Sequence, residues 1–580
     1  MSGSRKKIRI GDLLVQNGII TDTQLQQALE RQRQSGLRLG RVLVDLGYIE
    51  ENQFLDFLAR QLGIPHVDLR QFRFDAEVAQ RLPEAHARRY HAIVLEEKHG
   101  ALTVGMVDPT DIFAYDELTR ILQQPIEVVV VLEHELLSTL DLVYRRTEEI
   151  ANFAERLDEE LTEGQFDLAQ MAPMDQDADA TVVRLLQSIF EDAVQVRASD
   201  IHIEPDEGLL RIRQRVDGVL QEQIIKERRI AAPLVLRLKL MAGLNISEKR
   251  LPQDGRFSLL AKKRKLDVRV STMPVEYGES VVMRLLDQTG GAARLSQVGM
   301  PDMLLAQFRR LIRLPHGLIL VTGPTGSGKT TTLYGALQEL NDVGKKIITV
   351  EDPVEYRLPR INQVQVNTKI DLTFARVLRA ALRQDPDIIL VGEIRDTETA
   401  EIALRAAMTG HLVLSTLHTN DAVSSAMRLV DMGADGFLAA SALRAVVAQR
   451  LVRRLCDNCA EPQQPDAQQL VWLRGMLGME EADRIQLKTA QGCHRCNNTG
   501  YHGRIGVFEL LILDDAMSDA LRRSDGAGFV AAAQRSPLYR PLVLCALSYA
   551  AAGLTTLSEV FRVAEQVDES VDFMDFKVTV

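Results

Sequence analysis

Apolar positions follow three kinds of pattern along this chain. Residues 9–32 and 38–61 repeat one another with a period of 29: Leu13-Leu14 and Ile19-Ile20 return as Val42-Leu43 and Tyr48-Ile49, with Gly18 and Gly47 at matching places. Each copy predicts a short helix, a glycine turn and a second amphipathic helix. Two copies are too few for a solenoid, so one compact helical unit is expected. From 62 to 147 the pattern is mixed, with strands predicted at 92–95, 102–106 and 126–131. Residues 181–196 have helical periodicity, and alternating runs at 209–216, 219–225, 257–260, 265–271 and 280–286, with a helix over 232–242, predict a sheet domain. The third pattern is the largely apolar run, at 317–321, 346–350, 387–393 and 410–419. Runs of that length without helical period suit strands buried on both faces of a parallel sheet.

Between the second and third regions of the chain the character changes. Residues 147–180 are strongly acidic, with Arg156 the only basic residue; 148–161 reads as a helix and 171–180 as a linker. The uncharged run 541–558 approaches membrane-spanning length, but it holds Ser548, Gly553, Thr555 and Thr556. Two buried segments about a glycine turn are expected there. At 580 residues the chain is long enough for three or four domains. A net charge of −11 gives no overall basic footprint for nucleic acid. Arg5, Lys6, Lys7 and Arg9 are followed by no apolar core, which argues against a signal peptide and for a cytoplasmic protein.

The run at 317–321 feeds GPTGSGKT, and a helix-compatible stretch follows. Two glycines four residues apart before Lys-Thr form the pattern in which backbone N–H groups and a helix N-terminus cradle phosphates. Gly323, Pro324, Thr325, Gly326, Ser327, Gly328, Lys329, Thr330 and Thr331 are the expected ATP contacts. In such a loop Lys329 reaches the β and γ phosphates and the Thr330 hydroxyl holds Mg2+. The run at 346–350 ends in Glu351-Asp352-Pro353-Val354-Glu355, and the next ends at Glu393. Acids at the C-terminal ends of parallel strands stand where an open α/β sheet binds ligands. Glu393 is the expected base that activates water. His411 and His418 stand at the two ends of the run at 410–419, and either is a candidate sensor of the γ-phosphate.

Cys456-x-x-Cys459 and Cys493-x-x-Cys496 suit a four-thiolate structural zinc site, with a redox pair as the alternative. The long gap between them predicts an inserted element at 467–477, and Cys545 is left as a core thiol. In the N-terminal repeat, Arg9-Ile10-Gly11 returns as Arg38-Leu39-Gly40, and Leu25, Leu29 and Gln32 return as Phe54, Leu58 and Gln61. Glycine allows close backbone approach, and arginine grips phosphate or stacks on a base. Two such sites suit a nearly two-fold symmetric ligand; a docking module without a small ligand is the alternative.

The motifs GPTGSGKT, ITVEDPVEY, DPDIILVGEIRD and TGHLVLSTLHTN, in this order, resemble the secretion ATPase superfamily, close to type II secretion and type IV pilus-extension ATPases. The N-terminal repeat resembles the tandem cyclic di-GMP-binding motif of pilus-extension ATPases of the mannose-sensitive haemagglutinin (MSHA) type, with Ile10 and Phe54 as mild departures. The resemblance implies a multidomain α/β chain. Its N-terminal regulatory domain spans 1–147, helical over 1–61 and α/β over 62–147, and an acidic linker follows at 148–180. A PAS-like α+β middle domain covers 181–290 and a RecA-like P-loop ATPase core 291–450, followed by a tetracysteine zinc element at 451–505 and C-terminal helices at 506–580. It implies Glu393 as the catalytic glutamate, Glu351 and Glu355 as the acidic box, and Arg269 and Arg284 as arginines that reach the phosphates on domain closure. Arg379, Arg383 and Arg395 match arginines at subunit or domain contacts. A homohexamer is implied, peripheral to the inner membrane through a platform protein, fuelled by Mg-ATP and regulated by cyclic di-GMP. The function expected is pilus extension, with type II secretion as the alternative and a nucleic-acid translocase as the alternative from another class.

Overall fold

A computed structural model describes residues 14–15, 18–35, 42–43, 46–49, 64–69, 72, 76–98, 100–109, 111–144, 147–162, 181–262, 264–287, 294–497 and 499–564. Two compact units are present: residues 1–145 with 493–497, and residues 146–492 with 498–580.

In the first unit the repeat folds as two equivalent turns. Gly18 and Gly47 both have positive φ, at 70° and 68°. The Ile19 N–H donates to the Leu14 carbonyl and the Tyr48 N–H to the Leu43 carbonyl, both at 3.0 Å. A left-handed glycine lets a helix end back onto its own last carbonyls, which is why glycine stands at this point in each copy. Leu14, Ile20, Leu25 and Ala28 pack with Val42, Leu43 and Ile49 in one core. Helix α1 (Asp22–Ser35) follows the first turn. The rest of the unit is a three-stranded sheet in which β1 (Ala92–Lys98) pairs antiparallel with β2 (Ala101–Met106), and β2 parallel with β3 (Ile126–Val130). Helices α2 (Glu84–Tyr90), α3 (Ile112–Leu122) and α4 (Glu133–Val143) accompany it. Arg9, Ile10, Gly11, Arg38, Leu39, Gly40, Phe54, Leu58 and Gln61 lie outside the described residues.

The second unit begins with α5 (Thr147–Thr162) and α6 (Thr181–Gln195). Their apolar faces, with Ile150, Leu157, Leu185 and Ile189, share a core with a six-stranded antiparallel sheet. Its strands are β4 (Asp200–Pro205), β5 (Leu210–Val216), β6 (Val219–Ile225), β7 (Gln253–Ala261), β8 (Arg264–Val275) and β9 (Gly278–Asp287), in the order β6-β5-β4-β9-β8-β7, with α7 (Ala231–Met241) packed on it. Buried residues alternate with half-buried ones along β5, and half-buried with exposed ones along β7, so each strand turns its more covered face to one side, as period-two patterning requires.

The other half of this unit carries a seven-stranded sheet. Four largely apolar runs are its parallel centre: β10 (Gly317–Thr322), β11 (Ile347–Glu351), β13 (Ile388–Val391) and β14 (Leu412–Leu417). Every residue of these strands is buried, because helices cover both faces. Three strands were not anticipated from the pattern: β12 (Asn362–Gln365) at one edge, and β15 (Leu443–Leu455) and β18 (Tyr501–Ile512) beyond β10. β15 runs parallel to β10 and antiparallel to β18. The main helices are α8 (Asp302–Leu311), α9 (Lys329–Leu340), α10 (Phe374–Ala381), α11 (Thr397–Met408), α12 (Ala422–Asp431) and α13 (Gly436–Ala442). Between β15 and β18 stand β16 (Ala460–Gln463), α14 (Ala467–Leu477) and β17 (Leu487–Ala490), so the inserted element expected at 467–477 is a helix with those bounds. After β18 come α15 (Asp515–Arg522), α16 (Gly526–Gln534), α17 (Leu542–Ala551) and α18 (Leu557–Ala564). The uncharged run thus splits into two helices about Gly553, whose φ is 68°. No helix among the described residues is long and apolar enough to cross a membrane.

Candidate nucleotide site and cysteine cluster

The C-terminal ends of β10, β11, β13 and β14 meet at a cleft of about 520 Å3. The loop between β10 and α9 forms one wall, and three of its glycines, Gly323, Gly326 and Gly328, have positive φ. Two of them are also required by what lies beneath. A Cβ on Gly323 would fall 2.4 Å from the Gln449 carbonyl oxygen, and one on Gly328 would fall 2.7 Å from Gln449 Nε2. Strand β15 therefore supports the loop from below, and Gln449 Oε1 also accepts from the Thr332 hydroxyl at 2.8 Å. Sequence patterning gave no sign of this support, because Gln449 only follows the apolar run 445–448 and nothing local names its partner.

Lys329 opens α9 and is 8% exposed. Its Nζ donates to the Gly323 and Pro324 carbonyls at 2.6 and 3.1 Å. Burial lowers its pKa to about 8, against the opposing pull of Glu393, so its charge is present below that pH. Thr330 and Thr331 are exposed beside it, while the Ser327 hydroxyl is buried with no partner among the described residues. A glycine-rich loop, a lysine in reach of it and free hydroxyls at a helix N-terminus fit a phosphate chain with its Mg2+.

Glu351, the last residue of β11, is 4% exposed. The Tyr334 hydroxyl donates to one carboxylate oxygen and the Thr349 hydroxyl to the other. Gln363 Nε2 adds a third donor at 3.2 Å. Burial, then the hydrogen bond and charge of Glu351, push the Tyr334 phenol far above its ordinary value. Glu355 instead pairs with Arg269 at 2.8 Å, and Arg269 also donates to the Val354 carbonyl at 3.1 Å. Glu393 stands two residues past β13, where its carboxylate lies 2.6 Å from Arg395 Nη2 and 3.2 Å from His418 Nε2.

Several sequence-predicted residues thus converge. The loop residues 325–331, Glu351, Glu355, Glu393, His418 and Arg284 all line the cleft. His411 does not: it precedes β14, at the opposite end of the strand from His418, and its Nδ1 lies 3.0 Å from the Ala406 carbonyl. Two histidines bracketing one strand cannot share a site at one end of it. Arg379 pairs with Glu398, and Arg383 donates to the Arg379 carbonyl at 3.0 Å. Arg504, at the start of β18, lines the cleft too, although nothing in its local pattern marked it for the site.

The cysteines form a separate cluster. The Sγ atoms of Cys456, Cys459, Cys493 and Cys496 all lie within 4.8 Å of one another, and all four residues are buried. Cys493 and Cys496 Sγ are 3.7 Å apart. Tetrahedral zinc with Zn–S bonds of about 2.3 Å sets ligand sulfurs roughly 3.8 Å apart, so this pair fits an edge of that tetrahedron. None of the five cysteines is in a disulfide.

Residues 175–562 match the family described as type II/IV secretion system protein, and residues 62–150 match the MshEN domain. The type IV pilus assembly ATPase PilB of Myxococcus xanthus is 41% identical over 520 residues, covering 88% of this chain and 91% of that protein. The type II secretion system ATPase E of Vibrio cholerae is 44% identical over 497 residues, covering 84% and 97%. The Legionella pneumophila ATPase DotB shares the fold, with a TM-score of 0.50 and 22% identity over 66% of this chain and 95% of that one. The family match spans the sheet, the loop and the cleft together, and the chain belongs to the type II/IV secretion system family as an ATP hydrolase with an MshEN domain.

Proposed function

We propose that the chain is the cytoplasmic motor of a type IV pilus of the MSHA type, a homohexamer that couples Mg-ATP hydrolysis to pilus extension through an inner-membrane platform protein and is regulated by cyclic di-GMP. The observation that carries the motor reading is the arrangement of the cleft. A phosphate loop, a carboxylate held between Arg395 and His418, and Arg284 from the six-stranded sheet line one cavity. In this reading Glu393 takes the proton of the attacking water, while Lys329, Arg269 and Arg284 offset charge that develops on the transferred phosphoryl group. Thr330 would hold Mg2+, which would supply positive charge to the phosphate oxygens. Glu351 and Glu355 act as the acidic box that fixes the cleft wall. Cys456, Cys459, Cys493 and Cys496 hold structural zinc.

Regulation by cyclic di-GMP is supported by the repeated Arg-x-Gly motif, the matching turns at Gly18 and Gly47, and the MshEN match. Its contacts are Arg9, Ile10, Gly11, Leu25, Leu29 and Gln32 in one copy, and Arg38, Leu39, Gly40, Phe54, Leu58 and Gln61 in the other. The relatives include both a pilus ATPase and a secretion ATPase at similar identity, which keeps type II secretion as the second reading. Titration of the full chain with cyclic di-GMP should show one site per chain, weakened more than about tenfold by Arg9→Ala through loss of a charge-assisted contact. Binding unaffected by Arg9→Ala and Arg38→Ala would remove the ligand from the repeat. Deleting the gene should abolish surface pili and leave extracellular enzymes in the medium; the reverse outcome assigns the motor to secretion.

A further inference from the structure

The six-stranded sheet sets a row of charged residues across four strands, with one acid among three arginines. Arg215 of β5 stands opposite Asp200 of β4, Asp200 opposite Arg284 of β9, and Arg284 opposite Arg269 of β8. Like charges directly opposite on neighbouring strands repel, so Arg284 and Arg269 need separate acidic anchors. Arg269 has Glu355, on the ATPase side of the cleft. Arg284 has Asp200, within its own sheet: its Nε donates to Asp200 Oδ1 at 3.0 Å.

We propose that Asp200 is a positioning residue for hydrolysis, which grips Arg284 by Nε and so aims the rest of its guanidinium into the nucleotide cleft. This rests on the reading of Arg284 as an arginine that meets the phosphates. The two ends of the pair differ in the way such a task requires. The Asp200 side chain is 8% exposed, and the Ser199 hydroxyl donates to its Oδ2 at 2.8 Å. Arg215 Nε stands 3.8 Å from the same oxygen. The Arg284 side chain is 55% exposed and lines the cleft with Thr325, Lys329 and Glu393. A buried carboxylate is costly unless it is paired, so Asp200 is held in place by its partners and cannot follow a wandering arginine. A guanidinium held at Nε keeps its two terminal amino groups together on one side, free to meet a phosphate as a planar fork. Fixing that fork before nucleotide arrives removes the entropy cost of ordering a long side chain during turnover.

The test is steady-state ATP hydrolysis by the full chain for Arg284→Ala, Asp200→Asn and the double variant, with thermal melting alongside. Each single change should lower kcat by about tenfold or more while the KM for ATP stays within about threefold, because the contact strengthens as charge develops. The double variant should be no slower than the slower single, since both remove one unit of function. Asp200→Glu, which keeps the charge but shifts the oxygens, should also lower kcat without lowering the melting temperature, and it carries the comparison if Asp200→Asn does not fold. The inference is overturned if Arg284→Ala is slow and the Asp200 variants turn over at the parent rate, or if the two effects multiply. An Arg284→Ala variant with unchanged kcat overturns the role given to that arginine, and the inference with it.

Discussion

Glu351 and Glu393 stand at the ends of adjacent parallel strands, β11 and β13, both nearly buried and both facing one cleft. Their carboxylates are held in opposite ways. Glu351 takes its bonds from neutral donors, the hydroxyls of Tyr334 and Thr349 and the amide of Gln363, all fixed in the core or at its edge. Gln363 also donates to the Tyr356 carbonyl and accepts from the Leu358 N–H, so the network pins the segment after β11. Glu393 is held by Arg395 and His418, side chains 67% and 47% exposed that can move with a ligand. A carboxylate saturated by buried donors serves as scaffold, whereas one held by exposed side chains can exchange them for water and substrate. Position at a strand end therefore does not decide a carboxylate's role; its donors do.

The largest expected effect breaks that comparison most directly. Glu393→Gln keeps the shape and removes the carboxylate proposed as the base, so kcat should fall on the order of 10²–10⁴-fold with ATP binding retained. Glu351→Gln should lose far less turnover and show its cost mainly as a lower melting temperature. Hydrolysis rates and nucleotide binding measured on both variants decide it. Equal losses of kcat at the two positions would mean that the two acids work as a pair.

A smaller effect separates the histidines. His418→Ala removes a partner of Glu393, and a drop in kcat of roughly tenfold with a changed pH profile is expected. His411→Ala lies at the far end of β14 and should leave both unchanged. A matching loss at His411 would show that the strand transmits its effect along its length.

Much of this was legible in the chain. The central strands announced themselves because burial on both faces leaves mostly apolar residues, and the loop 323–330 because its conformation needs glycine. The two C-x-x-C pairs were readable since metal ligands must be spaced to share one ion. What was hidden depends on contacts between distant segments. Gln449 of β15 supports the phosphate loop and also accepts from Thr332 across 117 positions of sequence, and its own run gives no sign of either partner. Strands β15 and β18 went unanticipated because Arg444, Arg450, Arg453 and Arg454 break up the first and Gly503 and Gly506 the second. Asp200 carries no mark of its role in the local sequence ASDIHIEP, and only the sheet register shows which arginine it faces. His411 looked equal to His418 because sequence records that both flank a strand and not which end the sheet opens at.

Tyr334→Phe gives the smallest effect on turnover and the finest test of the contrast between the acids. Tyr334 is fully buried, its ring meets Tyr356 edge-on with centroids 4.6 Å apart, and its hydroxyl donates to Glu351. Phenylalanine keeps the ring packing and removes one donor from a buried carboxylate. Leaving that oxygen short of a partner should cost about 1–3 kcal/mol of stability, seen as a lower melting temperature or denaturation midpoint. If Glu351 is scaffold, kcat should change by no more than a few-fold at temperatures where the variant is folded, because Thr349 and Gln363 still hold the side chain. If Glu351 instead takes part in proton transfer, freeing one oxygen would alter its basicity. The pH dependence of kcat would then shift while stability changed little. Melting and pH–rate profiles on this one variant therefore separate the two roles that adjacent strand ends can give the same side chain.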